Sequence, residues 1–597
     1  MKRTLLASVA FTALLAAPGL AQEAFDLDEI VVSPSLAPID PARTGATVEV
    51  VEGDDLQNAD TSLIQTLSRE PGVSFSANGG VGSNTTLRIR GLDTSYIGVR
   101  VNGIDVTDPS STQTGFNFGG LTAAGLGRVE ILKGSQSAIY GSEAIAGVVD
   151  ITTARPRGLG FSADLNLEAG SFGTRSGSLW MGHATERGEV ALSYSRLITD
   201  GISALASDTE EDGFEQEMLT LSTRYDLTDT VTVGASALWR DGMVEIDRPF
   251  VGNAGENFFT QRGARVFAEF ETGGVDHRLS YSVFDSERRD PGGFTPYFNG
   301  DREELQYIGS AEIGATSTLG FGLDETRETF DIPGASGEVT TRSVFAELQL
   351  RPADDLDLSL ALRHDDHSRF GGSTTGRIAA AWRAQPDLTL RAVLGSGFRA
   401  PSLYELFGPY GSATLQPEQS RSFELGAEKT FEAGFVRATA FYTEIDDLIG
   451  YDFILSAYNQ QPGTTVTRGL ELAGRYALSD RVALFANYTL TDAKTEGTRL
   501  VRVPRHDLVL GLDADLGNGF NGTFEVQRVA DVEASAFAPV DNKVGDYTLV
   551  NLGVSYDITD RAQAYLRVEN LLDEDYETAG GYNTPGRAAY FGLRASF

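Results

Sequence analysis

The sequence contains no cysteine, which excludes disulfides, thiolate metal sites and cysteine nucleophiles. Basic residues are also scarce, since 48 Lys and Arg stand against 84 Asp and Glu and give a net charge of −36. That balance argues against a nucleic-acid binder, which needs a basic surface. A mean hydropathy of −0.16 and the lack of later apolar runs of about 20 residues exclude a bundle of membrane-spanning helices. An acidic soluble protein or a β-barrel remains.

The N-terminus has the three parts of a secretory signal peptide. Residues 2–3 are basic, residues 5–17 form an apolar core, and Gly19 and Ala21 place small residues at the cleavage positions. The segment is too short, and its flanks are wrong, for a retained membrane helix. We predict that residues 1–21 are removed and that the rest of the chain is exported.

The C-terminal part alternates apolar and polar residues with a period of two. The final run has Ala589, Phe591, Leu593, Ala595 and Phe597 on one face, and similar runs occupy residues 482–490, 550–558 and 562–568. Strict alternation predicts half-buried strands. The apolar face suits lipid and the polar face suits a wet lumen. A soluble β-sandwich would alternate too, but many consecutive strands behind a signal peptide favour a transmembrane antiparallel β-barrel.

Residues 45–157 have a different pattern, with short mixed segments that predict a small α+β domain. A short helix is expected over residues 62–69, ended by Pro71-Gly72, and Asn102-Gly103 signals a hairpin. From residue 158 to residue 597 the alternating strands continue. That length provides about 20 residues for each strand and its connection in a barrel of about 22 strands.

Four motifs, taken in order, resemble the TonB-dependent outer-membrane receptor family. They are Asp28-Glu29-Ile30-Val31-Val32-Ser33; Leu87-Arg88-Ile89-Arg90-Gly91 with Val101-Asn102-Gly103; the run from Arg128-Val129-Glu130 to Val149-Asp150-Ile151; and Phe398-Arg399-Ala400-Pro401 with Asn570-Leu571-Leu572-Asp573. The resemblance implies a plug domain inside a 22-stranded barrel in the outer membrane of a Gram-negative bacterium. It also implies a monomer in outer-membrane lipid that transports and does not catalyse, has no covalent cofactor, and is driven by TonB with its inner-membrane energising complex.

Within the family, two segments are similar to the cobalamin receptors. These segments are Ser137-Ala138-Ile139-Tyr140-Gly141-Ser142-Glu143 and the tail Asp575-Tyr576-Glu577-Thr578. The implied ligand is a cobalamin-like corrinoid, and a ferric siderophore or another metal chelate is the alternative. No histidine lies between Arg399 and Glu418, where haem receptors of the family typically carry one. A passive porin would not need a plug-sized domain, and a hydrolase would need a nucleophile motif that is absent.

The first motif, residues 28–33, resembles the box that pairs with TonB and lies in a linker segment of residues 22–44. Ile30, Val31 and Val32 have strong β preference, so the segment can add as a strand to a partner's sheet edge. Pro34 and Pro38 discourage helix and keep the linker extended. The alternative is a disordered tail.

The resemblance also implies ion pairs that hold the plug in the barrel. Arg90 and Arg128 are the plug cations expected to pair with barrel carboxylates. Glu424 and Glu471 alternate with apolar neighbours, so both are expected to face the lumen. Ordinary solvated lumenal charge is the alternative interpretation.

Acidic loop residues raise the question of calcium. The resemblance implies a calcium site formed by Glu210, Asp212, Asp241 and Asp247 in two extracellular loops. Hard cations take six to eight oxygen ligands of this kind. In a chain of net charge −36, an acidic loop without metal is the competing interpretation.

The expected ligand contacts lie in the plug loops that face outward. These loops offer hydroxyl, amide and aromatic groups, and the candidate residues are Tyr96, Gln113, Phe116, Asn117 and Phe118. A large amphipathic ligand needs such a mixture. The alternative is that they are ordinary turn residues.

Overall fold

The computed structural model describes residues 34–37, 39–40, 42–58, 60–248, 253–534 and 543–597, without the side chains of residues 54, 248 and 253. The predicted signal peptide, residues 1–21, and the predicted TonB box, Asp28 to Ser33, lie outside these ranges. In the described part of the chain, no helix is both long and apolar enough to cross a bilayer.

The N-terminal domain is built on a five-stranded sheet with short helices around it. Its strands are β1 (Val48–Glu52), β2 (Val73–Ala77), β3 (Thr85–Ile89), β4 (Ile97–Val101), β5 (Ile104–Asp105), β6 (Leu126–Lys133) and β7 (Gly147–Thr153). Its helices are α1 (Asp54–Gln57), α2 (Leu63–Leu67) and α3 (Ser137–Tyr140), with a 3-10 turn at Thr94–Tyr96. The sheet order is β1-β6-β7-β4-β5, and β2 pairs with β3 separately.

The rest of the chain forms a closed barrel of 22 long antiparallel strands. The first of these strands are β8 (Gly160–Gly170), β9 (Arg175–Thr185), β10 (Gly188–Ile202), β11 (Asp212–Thr228), β12 (Val231–Arg248), β13 (Asn253–Thr272), β14 (Val275–Arg289), β15 (Tyr297–Glu312), β16 (Ser317–Ile332), β17 (Ala335–Ala353), β18 (Leu356–His367), β19 (Gly371–Gln385) and β20 (Leu388–Arg399). Helix α4 (Leu403–Phe407) follows.

The remaining elements complete the wall. They are β21 (Glu418–Phe431), β22 (Gly434–Asp446), β23 (Ile449–Asp452), β24 (Ala457–Gln460), β25 (Thr465–Ser479), β26 (Val482–Thr495), β27 (Thr498–Arg499), β28 (Pro504–Gly517), β29 (Phe520–Glu533), β30 (Lys543–Val544), β31 (Tyr547–Thr559), β32 (Ala562–Glu569) and β33 (Ala588–Ser596). Strands β23 and β24 form a separate hairpin, and β27 and β30 are two-residue extensions of the wall.

Alternation of the strands places apolar residues outside the barrel. The last strand, β33, pairs with the first, β8, so the wall closes without an edge. In β33, Phe591 and Leu593 are 57% and 44% exposed, whereas Tyr590, which points to the opposite face of the strand, is only 4% exposed. The sequence prediction of a barrel with a plug is therefore confirmed.

The two ends of the barrel differ in the length of their connections. One end has tight turns, such as Gly273-Gly274 between β13 and β14, where both φ angles are positive and favour glycine. The other end carries long connections over residues 203–211, 400–417 and 447–464. In outer-membrane barrels the short turns face the periplasm and the long loops face outward.

The N-terminal domain fills the lumen and shares its core with the wall. One apolar cluster joins buried plug residues, among them Val99 and Ile131, to three barrel residues, Leu238, Phe284 and Ile445. The domain is therefore a plug, with its loops between β3 and β4 and between β5 and β6 directed toward the long-loop end.

Candidate functional site

A cavity of about 570 Å³ lies between the plug and the long-loop end of the barrel. Its floor comes from the plug loops around residues 78–86, 93–95 and 111–117. Its walls come from β12, β13 and β14, with Tyr582 from the last long loop. The volume falls within the range of about 300–1,000 Å³ that is usual for small-molecule sites.

Three of the five predicted ligand residues line this cavity: Gln113, Phe116 and Asn117. The side-chain oxygen of Asn117 accepts hydrogen bonds from the backbone N–H groups of Thr85 (2.9 Å) and Gly119 (3.0 Å). Asn117 therefore also ties two plug loops together, which fixes the shape of the floor.

Phe118 and Tyr96 lie below the floor. Phe118 is fully buried in the plug core and packs edge-on against Phe116 with ring centroids 4.9 Å apart. The guanidinium carbon of Arg399 lies 5.8 Å from the ring centroid of Tyr96, and Tyr96 does not line the cavity. Neither residue lines the cavity in this conformation. Their orientation was not predictable, because alternation along an irregular loop does not indicate which side faces out.

Several barrel residues that the sequence analysis missed also line the cavity. They include Arg240, Phe259 and Arg288. Arg288 donates through Nε to Asp108 of the plug at 2.6 Å, and its guanidinium lies 4.5 Å from the ring centroid of Phe298. The alternation of the strands predicts which of these barrel residues face the lumen. It does not predict how close they lie to the plug loops, because that depends on the register between strands.

An ion-pair cluster joins the plug to the wall. Arg90 contacts Glu424 at 2.8 Å and Glu471 at 2.9 Å. Lys133, which the sequence analysis did not single out, contacts Glu471 at 3.0 Å and Glu49 at 2.8 Å. All five side chains are buried.

The cluster continues to β22, where Arg437 contacts Glu49 at 2.5 Å. Burial acts to raise the pKa of Glu49, but Arg437 and Lys133 outweigh it and hold that pKa below its usual value. The plug carboxylate is therefore ionised, and it connects a plug lysine to a wall arginine.

The partners of Arg128 differ from the expectation. Its guanidinium pairs with Glu130 at 2.9 Å and with Glu52 at 3.6 Å, both in the plug sheet. The register of β1 and β6 places Glu52 directly opposite Arg128. These ion pairs brace the plug sheet internally, and the pairing of Arg128 with barrel carboxylates stays a prediction.

The acidic loops bring together a set of carboxylates that overlaps the predicted one. Oxygens of Asp208, Glu210 and Asp247 all lie within 4.8 Å of one another. Partial desolvation, and then the charges of Asp208 and Asp247, raise the pKa of Glu210. Three clustered carboxylates repel one another, and a metal ion with oxygen ligands would offset that repulsion.

The other two predicted metal residues have different partners. Asp212 accepts a hydrogen bond from the backbone N–H of Ala204 at 2.6 Å, and Asp241 accepts one from the Thr260 hydroxyl at 3.4 Å. They do not belong to the convergent group, and Asp208, which the sequence analysis left out, does.

The first described residues are clamped to the barrel wall. Glu347 accepts hydrogen bonds from the Ser35 hydroxyl at 2.5 Å and the Leu36 backbone N–H at 2.8 Å. The carbonyl of Pro34 accepts one from Arg377 at 3.1 Å. This segment, residues 34–37, therefore lies against β17 and β19 directly after the predicted TonB box.

Two family models match the chain. Residues 157–571 match the family described as TonB dependent receptor-like, beta-barrel, and residues 40–148 match the TonB-dependent Receptor Plug Domain. The first match covers more than half of the chain, and the second coincides with the plug.

Known relatives extend over the whole length. The chain is 26% identical to the vitamin B12 transporter BtuB of Vibrio cholerae serotype O1, with 97% of both chains covered. Solved structures with the same fold include the siderophore receptor PirA from Acinetobacter baumannii, at 17% identity and a TM-score of 0.78, covering 92% of this chain and 98% of that one. The ferric enterobactin receptor of Pseudomonas aeruginosa has 19% identity and a TM-score of 0.77, with 92% and 99% covered.

Proposed function

The chain belongs to the TonB-dependent receptor family of the Gram-negative outer membrane, and we propose that it imports a cobalamin-like corrinoid. Members of this family are transporters and receptors, not enzymes, and they work with TonB on small-molecule ligands. Import of a ligand by this route is therefore the function of the family, and the corrinoid is the part that we propose.

One observation carries the choice of ligand: the match to the vitamin B12 transporter covers 97% of both chains. The solved siderophore receptors are less than 20% identical to this chain, so their likeness concerns the fold alone. The cavity supports a large amphipathic ligand, because Phe116 and Phe259 offer apolar faces beside the polar groups of Gln113 and Arg240.

A ferric siderophore is the second candidate. The same fold occurs in receptors for such ligands, and the mixed lining of the cavity would accept a polar chelate as well. Haem fits less well, because the connection of residues 400–417 contains no histidine.

The contacts suggest how a bound ligand would act on the plug. The Ser402 hydroxyl donates to the backbone carbonyl of Thr112 at 2.9 Å, so the long loop that carries α4 touches the floor loop that carries Gln113. A ligand that displaces this floor loop changes the seating of the plug. TonB then pairs with residues 28–33 and pulls on the clamped segment 34–37, which follows directly in the chain.

We also propose a calcium ion in the extracellular loops. Asp208, Glu210 and Asp247 would supply its protein oxygens, and the ion would offset their mutual repulsion. Asp247 also accepts a hydrogen bond from the Leu205 backbone N–H at 2.9 Å. An ion at this point would therefore hold the loop of residues 203–211 against β12, beside the cavity.

Ligand binding by the purified protein tests the proposed function. We expect cyanocobalamin to bind in calorimetry, whereas a ferric catecholate and a ferric hydroxamate do not. Binding of a siderophore alone would replace the corrinoid with the second candidate. In cells, a deletion strain should lose growth on limiting cobalamin and regain it when the gene is restored.

A further inference from the structure

Two buried arginines line the outward cavity, one from each domain. Arg88 belongs to β3 of the plug and Arg240 to β12 of the wall, and they are 7% and 6% exposed. Over the described ranges of the chain, neither arginine takes part in an ion pair with a carboxylate. A buried cation without a counter-ion is costly, so the site is incomplete as it stands.

Other lumenal arginines have carboxylate partners. Arg302 contacts Asp105 at 2.7 Å, and Arg399 contacts Glu418 at 2.7 Å and Glu405 at 3.0 Å. Both of these guanidinium groups are neutralised by fixed anions, whereas Arg88 and Arg240, like the buried Arg377 that donates to Pro34 and Gln136, are held by neutral groups.

Amides and aromatic rings hold the Arg240 side chain. Its Nε donates to Gln216 at 2.5 Å, and one terminal nitrogen donates to Gln261 at 3.3 Å. The guanidinium carbon lies 4.7 Å from the ring centroid of Phe259 and 5.9 Å from that of Phe116. These neutral neighbours fix the orientation of the group and, among the described residues, accept from two of its five N–H donors.

Arg88 is held in a similar way. Its terminal nitrogen donates to the Ser76 hydroxyl at 2.7 Å, and burial lowers the pKa of Arg88 to about 10. The group still carries its proton at neutral pH. Two further arginines line the cavity: Arg288 is already paired with Asp108 at 2.6 Å, and the guanidinium carbon of Arg289 lies 5.4 Å from the ring centroid of Phe258.

We propose that Arg240 forms a subsite for an anionic oxygen group of the transported ligand, with Arg88 as a second buried cation in the same cavity. This inference rests on the proposed function, under which the anionic group is the phosphodiester in the nucleotide loop of a cobalamin. A guanidinium fork matches phosphate oxygens geometrically, and the low dielectric of a buried site strengthens the attraction. A ferric catecholate is a different ligand that would present anionic oxygens to the same arginines.

The test compares ligands that differ in this group. Cyanocobalamin carries the phosphodiester and cobinamide lacks the nucleotide loop, whereas a ferric tris-catecholate is anionic and a neutral ferric hydroxamate is not. Dissociation constants are measured for the wild type and for the variants Arg240→Gln and Arg240→Lys. The matched control is Arg262→Gln, an exposed arginine on the neighbouring strand that pairs with Asp285 at 3.0 Å.

Arg240→Gln is expected to weaken cyanocobalamin binding about 10- to 100-fold and cobinamide binding less than about threefold. Arg240→Lys keeps the charge and should recover part of the loss, and Arg262→Gln should bind both compounds as the wild type does. Added salt should weaken cyanocobalamin binding to the wild type more than to Arg240→Gln.

The outcomes separate the subsite from the proposed function. Equal losses for cyanocobalamin and cobinamide, or no loss for either, would overturn the subsite while the corrinoid function stands. If the wild type binds only siderophores, the corrinoid function fails. In that case the subsite holds if Arg240→Gln weakens binding of the ferric catecholate more than binding of the neutral ferric hydroxamate, and it fails otherwise. A wild type that binds none of the four compounds overturns both.

Discussion

Arg90 is the residue on which the buried contact between plug and barrel depends most. It neutralises two wall carboxylates, Glu424 and Glu471, and both lie where water cannot replace it. Such a pair adds little net stability when complete, but removing one partner leaves the other charge buried and uncompensated. The cluster therefore makes the seating of the plug specific, because any displaced position would strand those charges.

Replacing Arg90 with alanine should lower the free energy of unfolding by about 3–5 kcal/mol, because Glu424 loses its buried cation while Glu471 keeps only Lys133 at 3.0 Å. The measurement is denaturant unfolding of the purified protein, followed by tryptophan fluorescence. The matched control is Arg155→Ala. Arg155 also joins the plug domain to the wall, through Glu189 at 2.6 Å, but it is exposed, and its loss should cost about 1 kcal/mol or less. Similar costs for both variants would contradict a special role for the buried cluster.

Calcium binding should depend on the three convergent carboxylates. We expect calorimetry of the wild type to detect calcium and the double variant Asp208→Asn, Asp247→Asn to lose it, because two of the three anionic ligands become neutral amides. Asp241→Asn is the control, since Asp241 lies outside the convergent group, and it should keep calcium binding. A wild type that takes up no calcium removes this proposal.

Side-chain parity explains which single residues could be predicted from the sequence. Glu424 and Glu471 alternate with apolar neighbours, so their lumenal orientation was predictable. The contact of Glu471 with Lys133 depends on the depth of the plug in the barrel, which no local pattern encodes. The partners of Arg128 depend on the register between β1 and β6, a long-range pairing that sequence alternation leaves open.

The segment of residues 34–37 is the element that lies between the proposed TonB box and the plug. Glu347 and Arg377 of the wall hold it through one hydroxyl, one backbone N–H and one carbonyl. Each of these hydrogen bonds involves a charged side chain and contributes about 1.5–3 kcal/mol net. A pull on the chain ahead of residue 34 would therefore meet this clamp before it reaches the plug sheet.

Replacing Val31 with proline should abolish uptake and leave ligand binding unchanged, because proline removes a backbone donor from the strand that would pair with TonB. Uptake of labelled ligand by cells and binding to isolated outer membranes measure the two effects separately. A control, Glu23→Pro, makes the same change ahead of the box and should transport normally. Unaltered uptake in Val31→Pro would exclude residues 28–33 as the TonB box.

Elements with strict alternation were the predictable ones. The runs at 550–558 and 562–568 lie within β31 and β32 as expected, because lipid on one side and a polar lumen on the other impose a period of two. The helix predicted at 62–69 is shorter, at Leu63–Leu67. The 3-10 turn Thr94–Tyr96 and helix α4 follow from local capping by Asp93 and Ser402 within loops, which no hydrophobic period marks.

The whole molecule consists of a barrel whose strands pair in a closed ring and a plug domain that fills its lumen. The barrel is continuous through the pairing of β33 with β8. Its apolar contacts with the plug are side-chain contacts, such as those of Leu238, Phe284 and Ile445, so removal of the plug would break no barrel ladder.

Deletion of residues 45–157 should convert the protein into an open pore. A barrel of 22 strands encloses a lumen too wide for side chains alone to fill, so ions should pass once the plug is gone. Single-channel recording in planar bilayers measures this, and the full-length protein in the same membrane should stay closed. Circular dichroism of the deletion variant establishes that the strands are intact. Steady conductance through the full-length protein would instead favour a passive porin, because the plug would then leave a continuous aqueous path.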